Sequence, residues 1–462
     1  MKINLSYLGP LRQAEFETND LTIICGRNNT GKTYATYAFF GFLSYWNEAF
    51  TLDVPKHNIT ELLSEGTTKI SISSYIDNYK EILLKACKAY TERLPMVFAS
   101  SEKYFVNTSF QIELEKQNIK PLINFNRTMG AAKSQLLSIS KEPEQNEVIV
   151  SLLVNKVNLK VPEDIIGQII GTALRDIIFR NSLPNPFIAS AERTGAAIFR
   201  KELNFARNRL LEEVSVMDKE INPFELLSKV YADYALPVKK NVDFTRQLEE
   251  YSKRDSYIVK NHPTLLDSFS DIIGGGYIVT KNDELFFQPK VNPRLKLTMD
   301  ESSSSVRSLL DIGFYLRHVA KQGDLLIVDE PELNLHPENQ RRLARLFVRL
   351  TKIGIKVFIT THSDYIIKEL NTLIMLNQEK PCLKSIIEKE KYLEDELLSA
   401  DKIKVFLACQ DLIRIDGHKR KSLCQTLSKA PILAETGIEV PTFDETIVDM
   451  NRIQEEIIWG GE

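Results

Sequence analysis

The residues best suited to chemistry lie near the start of the chain, in a glycine-rich segment that follows a short apolar run. Residues Gly26–Thr33 match the phosphate-binding pattern G-x-x-x-x-G-K-[ST] at every fixed position, directly after Leu21–Cys25. A strand that leads into such a turn and then into a helix directs backbone N–H groups at one position, which suits bound phosphates. We therefore predict that this segment, the P-loop, binds a nucleoside triphosphate. A plain turn between a strand and a core helix is the alternative.

Each P-loop residue has an expected role. Lys32 is expected to reach the β- and γ-phosphates, and the Thr33 hydroxyl is expected to bind Mg²⁺. The predicted nucleotide-binding set is Arg27, Asn28, Asn29, Thr30, Gly31, Lys32 and Thr33.

A second motif, in the other half of the chain, supplies acids. The apolar run Leu325–Val328 is typical of a strand buried on both faces of a parallel sheet, and it ends in Asp329 and Glu330. This is the Walker B pattern, and because neighbouring strand residues point to opposite sides, the two acids have different roles. We expect Asp329 to hold Mg²⁺ through water and Glu330 to polarise the water that attacks the γ-phosphate. The alternative is a strand that ends in solvated acids.

A histidine follows another predicted strand. Lys356–Thr361 has the pattern of a buried strand, and His362 comes just after it. Ligands of open α/β sheets collect at the carboxyl ends of strands. We therefore expect His362 to sense the γ-phosphate or to donate a hydrogen bond to it, with a structural histidine as the alternative.

These motifs together resemble a known group of ATPases. Gly26–Thr33, Asp329–Pro331 with Leu335–Pro337, and Thr361–Ser363 resemble the ABC-type ATPases of the RecF, SMC and OLD group. Within that group the chain is most similar to stand-alone AAA family ATPases, many of them from bacterial antiphage defence systems of the PARIS, Septu or retron type. The resemblance implies ATP and Mg²⁺ as ligands, a D-loop at Leu333–His336, and a switch histidine within the last of the matching segments.

The same resemblance implies a signature motif before the Walker B strand. Members of the group carry a serine motif there, and the matching segment is Glu301–Ser308, in which serines replace the usual glycine pair. The predicted nucleotide contacts are Ser303, Ser304 and Ser305. A serine cluster that opens the helix Val306–Lys321 can both cap it and offer donors to an anion. A plain serine N-cap is the alternative.

In this group the signature of one subunit closes over phosphates bound by the other. The resemblance therefore implies that two copies sandwich two ATP molecules head to tail, as a homodimer or within a higher homo-oligomer. Dimerisation would be linked to ATP by mass action because each nucleotide bridges both copies.

The composition indicates an ordinary soluble protein. The chain has 462 residues, of which 43% are hydrophobic and 26% charged. The N-terminus enters a predicted strand directly, and no uninterrupted apolar stretch is long enough to cross a bilayer, so we expect a cytoplasmic protein without membrane contact. Five cysteines, without close pairing or metal-ligand spacing, indicate reduced structural thiols.

The net charge of −3 argues against a general polyanion binder, so any nucleic-acid contact would be local. Two basic segments are candidates, the arginines within Arg341–Arg349 and the run His418–Lys421. Charged runs are mostly solvated surface, so DNA binding is not strongly indicated.

The predicted fold class is α/β, with an ABC-type P-loop ATPase core, a helical insertion between Walker A and Walker B, and a small C-terminal α/β region. The expected segments are 1–48 for the first half of the core, 49–262 for the insertion, 263–378 for the second half of the core and 379–462 for the C-terminal region. The insertion is expected to be mainly helical, with strands at Ser109–Glu113, at Glu147–Val154 and, returning to the core, near 186–191. A long charged helix is expected at Ala196–Glu220.

A charged pair follows the returning strand, at Glu192 and Arg193. A similar strand followed by Ala-Glu-Arg occurs in the defence-type ATPases that the chain resembles, which implies a place near the nucleotide or the subunit interface. A local surface ion pair is an equal alternative.

Three functions of different classes compete. The favoured one is an ATPase that controls a separately encoded effector, a nuclease, in antiphage defence. The second is a RecF/SMC-type DNA-repair ATPase that clamps duplex DNA when ATP is bound, and the third is a transporter subunit, which would lack its usual glycine-bearing signature. No intrinsic nuclease is expected, because the C-terminal region lacks the glutamate and D-x-D strand ends of a Toprim domain and any paired His/Asp metal site.

Overall fold

The apolar runs around the predicted nucleotide site form neighbouring strands of one sheet. The computed structural model describes residues 1–131, 134–154, 161–199, 234–281, 284–415 and 420–459. Most of the predicted helix Ala196–Glu220 and the first half of the basic run His418–Lys421 lie outside these residues.

The chain divides into two units. Unit 1 consists of Met1–Ile3, Gly41–Arg93 and Phe110–Pro186, and unit 2 of Asn4–Phe40, Leu94–Ser109 and Phe187–Glu462. The P-loop, the signature segment, the Walker B acids and His362 all belong to unit 2.

The described strands are numbered in chain order. They are β1 (Lys2–Leu8), β2 (Leu11–Glu17), β3 (Leu21–Gly26), β4 (Thr67–Ser71), β5 (Ser109–Glu113), β6 (Phe125–Ala131), β7 (Ser134–Lys141), β8 (Glu147–Leu152), β9 (Pro186–Ala189), β10 (Gly275–Val279), β11 (Leu285–Pro289), β12 (Leu297–Thr298), β13 (Leu325–Asp329), β14 (Lys356–Thr361), β15 (Ile403–Ile413), β16 (Ser422–Lys429), β17 (Ile432–Leu433) and β18 (Gly437–Ile438).

The described α-helices are cited by their bounds. They are Lys32–Glu48 (the P-loop helix), Lys56–Glu65, Ser73–Asp77, Tyr79–Thr91, Leu94–Val97, Glu163–Phe179, Arg193–Ile198, Leu236–Arg246, Leu248–Ser252, Tyr257–Asn261, Thr264–Ile273, Ser304–Ser308 (the signature helix), Leu310–Phe314, Pro337–Lys352, Asp364–Leu376, Pro381–Glu390 and Pro441–Trp459. The helix predicted at Val306–Lys321 is therefore divided, and its last part is a π-helical turn at Tyr315–Val319.

The sheet of unit 2 sets the position of the predicted site. Its strands follow the order β1-β2-β16-β15-β3-β14-β13-β9. Strands β3, β14 and β13 run parallel, with Thr361 opposite Cys25 and Thr360 opposite Asp329. The carboxyl ends of these strands share one edge, so the P-loop, the Walker B acids and His362 meet there.

Both faces of this sheet are covered, as expected for parallel strands that are apolar throughout. Strands β3 and β13 are buried along their entire length. One hydrophobic cluster joins them to the helices Thr264–Ile273, Pro337–Lys352 and Asp364–Leu376. On the opposite face, Phe39 of the P-loop helix packs against Phe16 and Phe358. The predicted α/β class with a P-loop core is confirmed.

The C-terminal residues take a larger part in this sheet than expected. Strand β15 pairs in parallel with β3 and antiparallel with β16. Residues after 378 therefore complete the core beside the P-loop strand. The buried part of β15 is only its first half, and a short apolar run does not reveal which distant strand it pairs with.

Unit 1 is less helical than the sequence indicates. Strands β4, β8, β7 and β6 form an antiparallel sheet in that order, and only β8 of these strands is anticipated. The missed strands are largely polar, and β7 directs just two apolar side chains, Leu137 and Ile139, fully inward. Residues from Phe187 onward belong to unit 2, so the part of the expected insertion that follows residue 186 is in the same unit as the nucleotide motifs.

Of the helices in the described ranges, none is both long enough and apolar enough to cross a membrane.

Candidate functional site

The P-loop leaves β3 through a backbone that only glycine accepts at its first position. Gly26 has a φ of 142°, and a Cβ atom there would lie 2.5 Å from the carbonyl oxygen of Ala408 in β15. The Thr30 hydroxyl donates to the Arg27 carbonyl at 2.7 Å, which closes the loop on itself. The P-loop helix then begins at Lys32.

Lys32 is buried at the base of this loop. Its Nζ donates to the carbonyl oxygen of Gly26 at 2.9 Å and to that of Arg27 at 2.8 Å. Burial lowers the pKa of Lys32, and the negative charges of Glu330 and Asp329 oppose that shift. The P-loop lysine and the Walker B acids are thus close enough to interact electrostatically.

A cavity of about 420 Å³ opens over the P-loop, within the size range of small-ligand sites. Its lining residues are Pro10, Asn28, Asn29, Thr30, Gly31, Lys32, Thr33, Tyr34 and Glu330. All predicted P-loop ligands except Arg27 therefore face one cavity together with one Walker B acid. Backbone N–H groups, a lysine and a helix start in one cavity fit a polyphosphate.

Asp329 has one carboxylate oxygen left for a ligand. The side chain is fully buried, and Oδ1 accepts a hydrogen bond from the Thr360 hydroxyl. Among the described residues Oδ2 has no partner. Burial raises the pKa of Asp329 to about 6, and the charges of Glu330 and Glu192 add to that rise. A buried carboxylate oxygen without a donor fits a cation or its bound water.

No group of three or more His, Cys, Asp and Glu side chains within the described ranges could hold a metal ion. The unpartnered Oδ2 of Asp329 and the Thr33 side chain in the cavity lining suit Mg²⁺ bound with phosphates, because this ion commonly takes one or two carboxylates and completes its shell with water and phosphate oxygens. The protein ligands would be Thr33 and Asp329.

Glu330 faces His362 across the end of the sheet. The backbone of Glu330 has a φ of 52°, in the left-handed region, and its N–H donates to the Thr360 carbonyl at 3.1 Å. A carboxylate oxygen of Glu330 lies 3.7 Å from His362 Nδ1. The His362 side chain is 41% exposed, so it remains accessible to a ligand.

The structure adds a third acid, which the sequence analysis does not single out. Oε1 of Glu332 accepts the backbone N–H of His362 at 2.8 Å and lies 3.3 Å from Nδ1 of the same residue. Glu332 is only 8% exposed. The one available signal is its position two residues after Glu330 in the same acidic segment.

The three predicted signature serines lie at the start of the signature helix. Ser303 caps it by accepting the Val306 N–H at 3.4 Å, and its hydroxyl lies 2.8 Å from that of Ser305. Ser303 and Ser304 are exposed and Ser305 is half-buried. None of them is a lining residue of the P-loop cavity of the same chain.

Glu192 and Arg193 lie beside the Walker B acids and not in a surface ion pair. The Tyr37 hydroxyl donates to Glu192 at 2.9 Å. Arg193 is 1% exposed, and its guanidinium donates to the carbonyl oxygens of Asp329 and Glu330 at 2.6 and 2.9 Å. This segment is therefore part of the candidate site.

A second cavity adjoins the first. It has a volume of about 540 Å³, and Tyr34 lines both cavities. The Tyr34 ring stacks on Phe98 with centroids 5.2 Å apart, and Arg12 and Lys103 add positive charge to the lining. No sequence pattern predicted this cavity, because its walls come from segments far apart in the chain.

The basic stripe on the helix Pro337–Lys352 is engaged within the chain. Arg341 and Arg345 both bind Glu369, at 2.6 and 2.5 Å. Arg349 binds Asp395 at 2.8 Å, and Arg342 binds the exposed Glu338 at 3.1 Å. These ion pairs favour the solvated or structural alternative over a nucleic-acid surface.

Comparison with protein families gives one match. The family model described as AAA ATPase domain matches residues 1–367. No curated protein sequence matches the chain.

Solved structures of low similarity include SMC head domains. The Smc head bound to the C-winged helix domain of ScpA has a TM-score of 0.34 and 11% identity, and the match covers 92% of this chain and 97% of that one. The Smc head with an extended coiled coil, bound to the C-terminal domain of ScpA derived from Pyrococcus furiosus, has a TM-score of 0.32 and 10% identity, with 98% of each chain covered. The SMC head of Thermotoga maritima has a TM-score of 0.29 and 10% identity, and the match covers 94% of this chain and 98% of that one. TM-scores this low carry no conclusion about function or assembly.

Proposed function

Because the chain belongs to the family described as AAA ATPase domain, we propose that it binds and hydrolyses ATP in the cavity above its P-loop. The observation that carries the proposal is the convergence on one sheet edge of the P-loop, the unpartnered Oδ2 of Asp329 and the neighbouring Glu330 and His362. Buried polar atoms in proteins normally have a partner, and a bound ligand would supply one for this carboxylate oxygen.

Each residue of the site has a separate role in ATP hydrolysis. When ATP binds, Lys32 Nζ exchanges its two loop carbonyls for β- and γ-phosphate oxygens. Glu330 accepts a hydrogen bond from the attacking water, and His362 donates one to the γ-phosphate. Thr33 and Asp329 would hold Mg²⁺, which neutralises charge on the phosphates.

The second cavity suits the base of the nucleotide. Tyr34 forms a wall shared with the P-loop cavity, and its stacking with Phe98 provides an aromatic lining beside the basic Arg12 and Lys103. Aromatic side chains stack on the planar faces of nucleotide bases.

The signature serines would act on a second copy of the chain. They are exposed or half-buried and lie outside the P-loop cavity of their own chain, so contact with a γ-phosphate requires another subunit. We propose a head-to-tail homodimer in which each ATP is held by one P-loop and one set of Ser303–Ser305. Each bound nucleotide then stabilises the dimer.

We predict that Glu330→Gln traps an ATP-bound dimer. Loss of the carboxylate that polarises water should lower kcat by about 100-fold while leaving ATP affinity intact. Sedimentation of this variant with and without ATP measures the change in mass. Lys32→Ala, which should lose ATP binding, is the control that must remain monomeric, and an unchanged mass for Glu330→Gln with ATP would contradict the sandwich.

We propose further that this ATPase regulates a separately encoded effector, a nuclease, in antiphage defence. The sequence resemblance supports this role, and the engaged arginines of the helix Pro337–Lys352 weigh against a DNA clamp. The two alternatives separate on duplex DNA binding by the isolated protein. ATP turnover without DNA affinity supports control of an effector, whereas tight, ATP-dependent and steeply salt-dependent DNA binding supports clamping.

A further inference from the structure

Arg193 joins the signature helix to the Walker B strand through a buried guanidinium. Its Nε donates to the carbonyl oxygen of Ser308 at 2.6 Å, and Ser308 is the last residue of the signature helix. The other end of the same guanidinium donates to the carbonyls of Asp329 and Glu330. One planar guanidinium thus contacts both of the motifs that the proposed dimer would bring to two different ATP molecules.

The guanidinium is held firmly in this position. Nη1 also donates to the Ser190 carbonyl at 2.8 Å, and the Ser190 N–H donates to Oδ1 of Asn241 at 2.7 Å. Asn241 in turn donates to Ile188 in β9 at 2.5 Å. The charge of the buried Asp311, which lies just beyond the signature helix, acts favourably on the Arg193 cation. Arg193 is therefore fixed by hydrogen bonds to three separate segments, at Ser190, Ser308 and Asp329–Glu330.

Arg193 binds the backbone on both sides of the Glu330 φ angle. Glu330 occupies the left-handed region with a φ of 52°, a conformation that a non-glycine residue keeps only when its surroundings hold it. Arg193 binds the carbonyl on either side of that φ, and Thr360 accepts the intervening N–H at 3.1 Å. A shift of the signature helix that moves the Ser308 carbonyl would move the Arg193 guanidinium and so change its hydrogen bonds to the carbonyls of Asp329 and Glu330.

We propose that Arg193 is a positioning residue that couples the signature helix to the orientation of the Glu330 carboxylate. Engagement of Ser303–Ser305 by the ATP of a second copy then sets the hydrolytic carboxylate of the first copy. This coupling rests on the proposed head-to-tail function and adds to it a route by which one ATP site controls the other.

The first test compares Arg193→Lys with a matched control. An ammonium group lacks the planar fork that reaches carbonyls on separate segments. We expect kcat to fall by about tenfold or more, ATP affinity to change by less than about twofold, and the Hill coefficient of hydrolysis to fall to about 1. Arg175→Lys is the control, since Arg175 is also a buried arginine and donates to the Trp46 and Phe50 carbonyls of unit 1, each at 2.7 Å.

The outcomes of this test separate the two proposals. Folded Arg193→Lys with wild-type kcat and Hill coefficient overturns the coupling, as does an equal loss of activity in Arg175→Lys, which would indicate a general effect of lost stability. Failure of Glu330→Gln to dimerise with ATP would instead overturn the proposed head-to-tail dimer, on which the coupling rests.

A second measurement keeps Arg193 intact in case Arg193→Lys does not fold. In a mixed dimer of wild-type and Lys32→Ala chains, the Lys32→Ala copy has no ATP of its own, yet its signature closes over the ATP of its partner. Coupling predicts that a slowly hydrolysed ATP analogue slows amide exchange of Leu325–Glu330 in the isotope-labelled Lys32→Ala copy. Unchanged exchange there, in a dimer that does form, overturns the coupling.

Discussion

At the scale of single residues, the site depends on an acid that the Walker motifs do not include. Glu332 accepts the His362 N–H at 2.8 Å and keeps the same oxygen 3.3 Å from the imidazole Nδ1. Its second oxygen, Oε2, has no partner in the part of the chain that the structure describes. A buried carboxylate this close to the imidazole Nδ1 is placed to orient the ring, as carboxylates do for histidines in other sites.

We predict that Glu332→Gln lowers kcat by about tenfold, with a change in KM for ATP of less than about twofold. The amide keeps the size of the side chain but removes the charge that orients His362, so the loss appears in the chemical step. Steady-state ATP hydrolysis measures both constants. Glu338→Gln is the matched control, because Glu338 is an exposed acid paired with Arg342, and wild-type kcat in Glu332→Gln would contradict the assigned role.

At the scale of elements, the P-loop is held by close contact between β3 and β15. The two strands pair in parallel, and Gly26 lies opposite Ala408 at the end of that pairing. A side chain at residue 26 would meet the Ala408 backbone, which cannot move without breaking the sheet. The conformation of the P-loop at Gly26 therefore depends on contact with β15, a strand from the far end of the chain.

Gly26→Ala should accordingly destabilise unit 2 by about 3 kcal/mol or more, since strain at positive φ and a backbone clash act together. Gly274→Ala is the comparison: Gly274 also has a positive φ, 73°, in unit 2, but no atom lies within 4 Å of the Cβ position. That change should cost only about 1 kcal/mol. Denaturant unfolding measures both, and equal losses would show that the contact with Ala408 does not matter.

At the scale of the whole molecule, the ATPase unit is assembled from segments far apart in the chain. Unit 2 combines residues near the N-terminus, a short middle segment and everything described after Phe187. The family match ends at residue 367, yet β15 and β16 follow it and form part of the core sheet. The fold is therefore not complete at the end of the matched region.

A chain that ends at Asn377 should fail to fold unit 2, because removal of β15 exposes the fully buried β3 along one edge. We expect loss of soluble, ATP-binding protein, measured by gel filtration and nucleotide binding. A chain that ends at Val440 is the control: it loses residues 441–462, of which the described side chains are exposed, and should stay folded. Normal ATP turnover by the chain ending at Asn377 would contradict this role for β15.

Local patterns were enough for the parts of the site that lie within one segment. The P-loop, the strand that ends in Asp329 and the strand that precedes His362 were all predicted, because each combines a buried apolar run with polar residues at its end. The strands of unit 1 were mostly missed, since runs such as β6 and β7 have too few apolar residues to show a period of two. For Arg193 the resemblance implies a place near the nucleotide or the subunit interface, with a surface ion pair as the equal alternative, but no local pattern indicates its burial or its contacts with Asp329 and Glu330.

The sequence by itself determined the α/β class, the nucleotide motifs and the strands that carry them, because these depend on residue type and on spacing within a few positions. Only the tertiary structure decided that β15 lies beside β3, that Glu332 holds His362, and that Arg193 binds both Ser308 and the Walker B backbone. Those facts depend on which segments pack together across more than a hundred residues of chain. Such pairing is selected by the burial and hydrogen bonding of the whole sheet, and no local pattern encodes it.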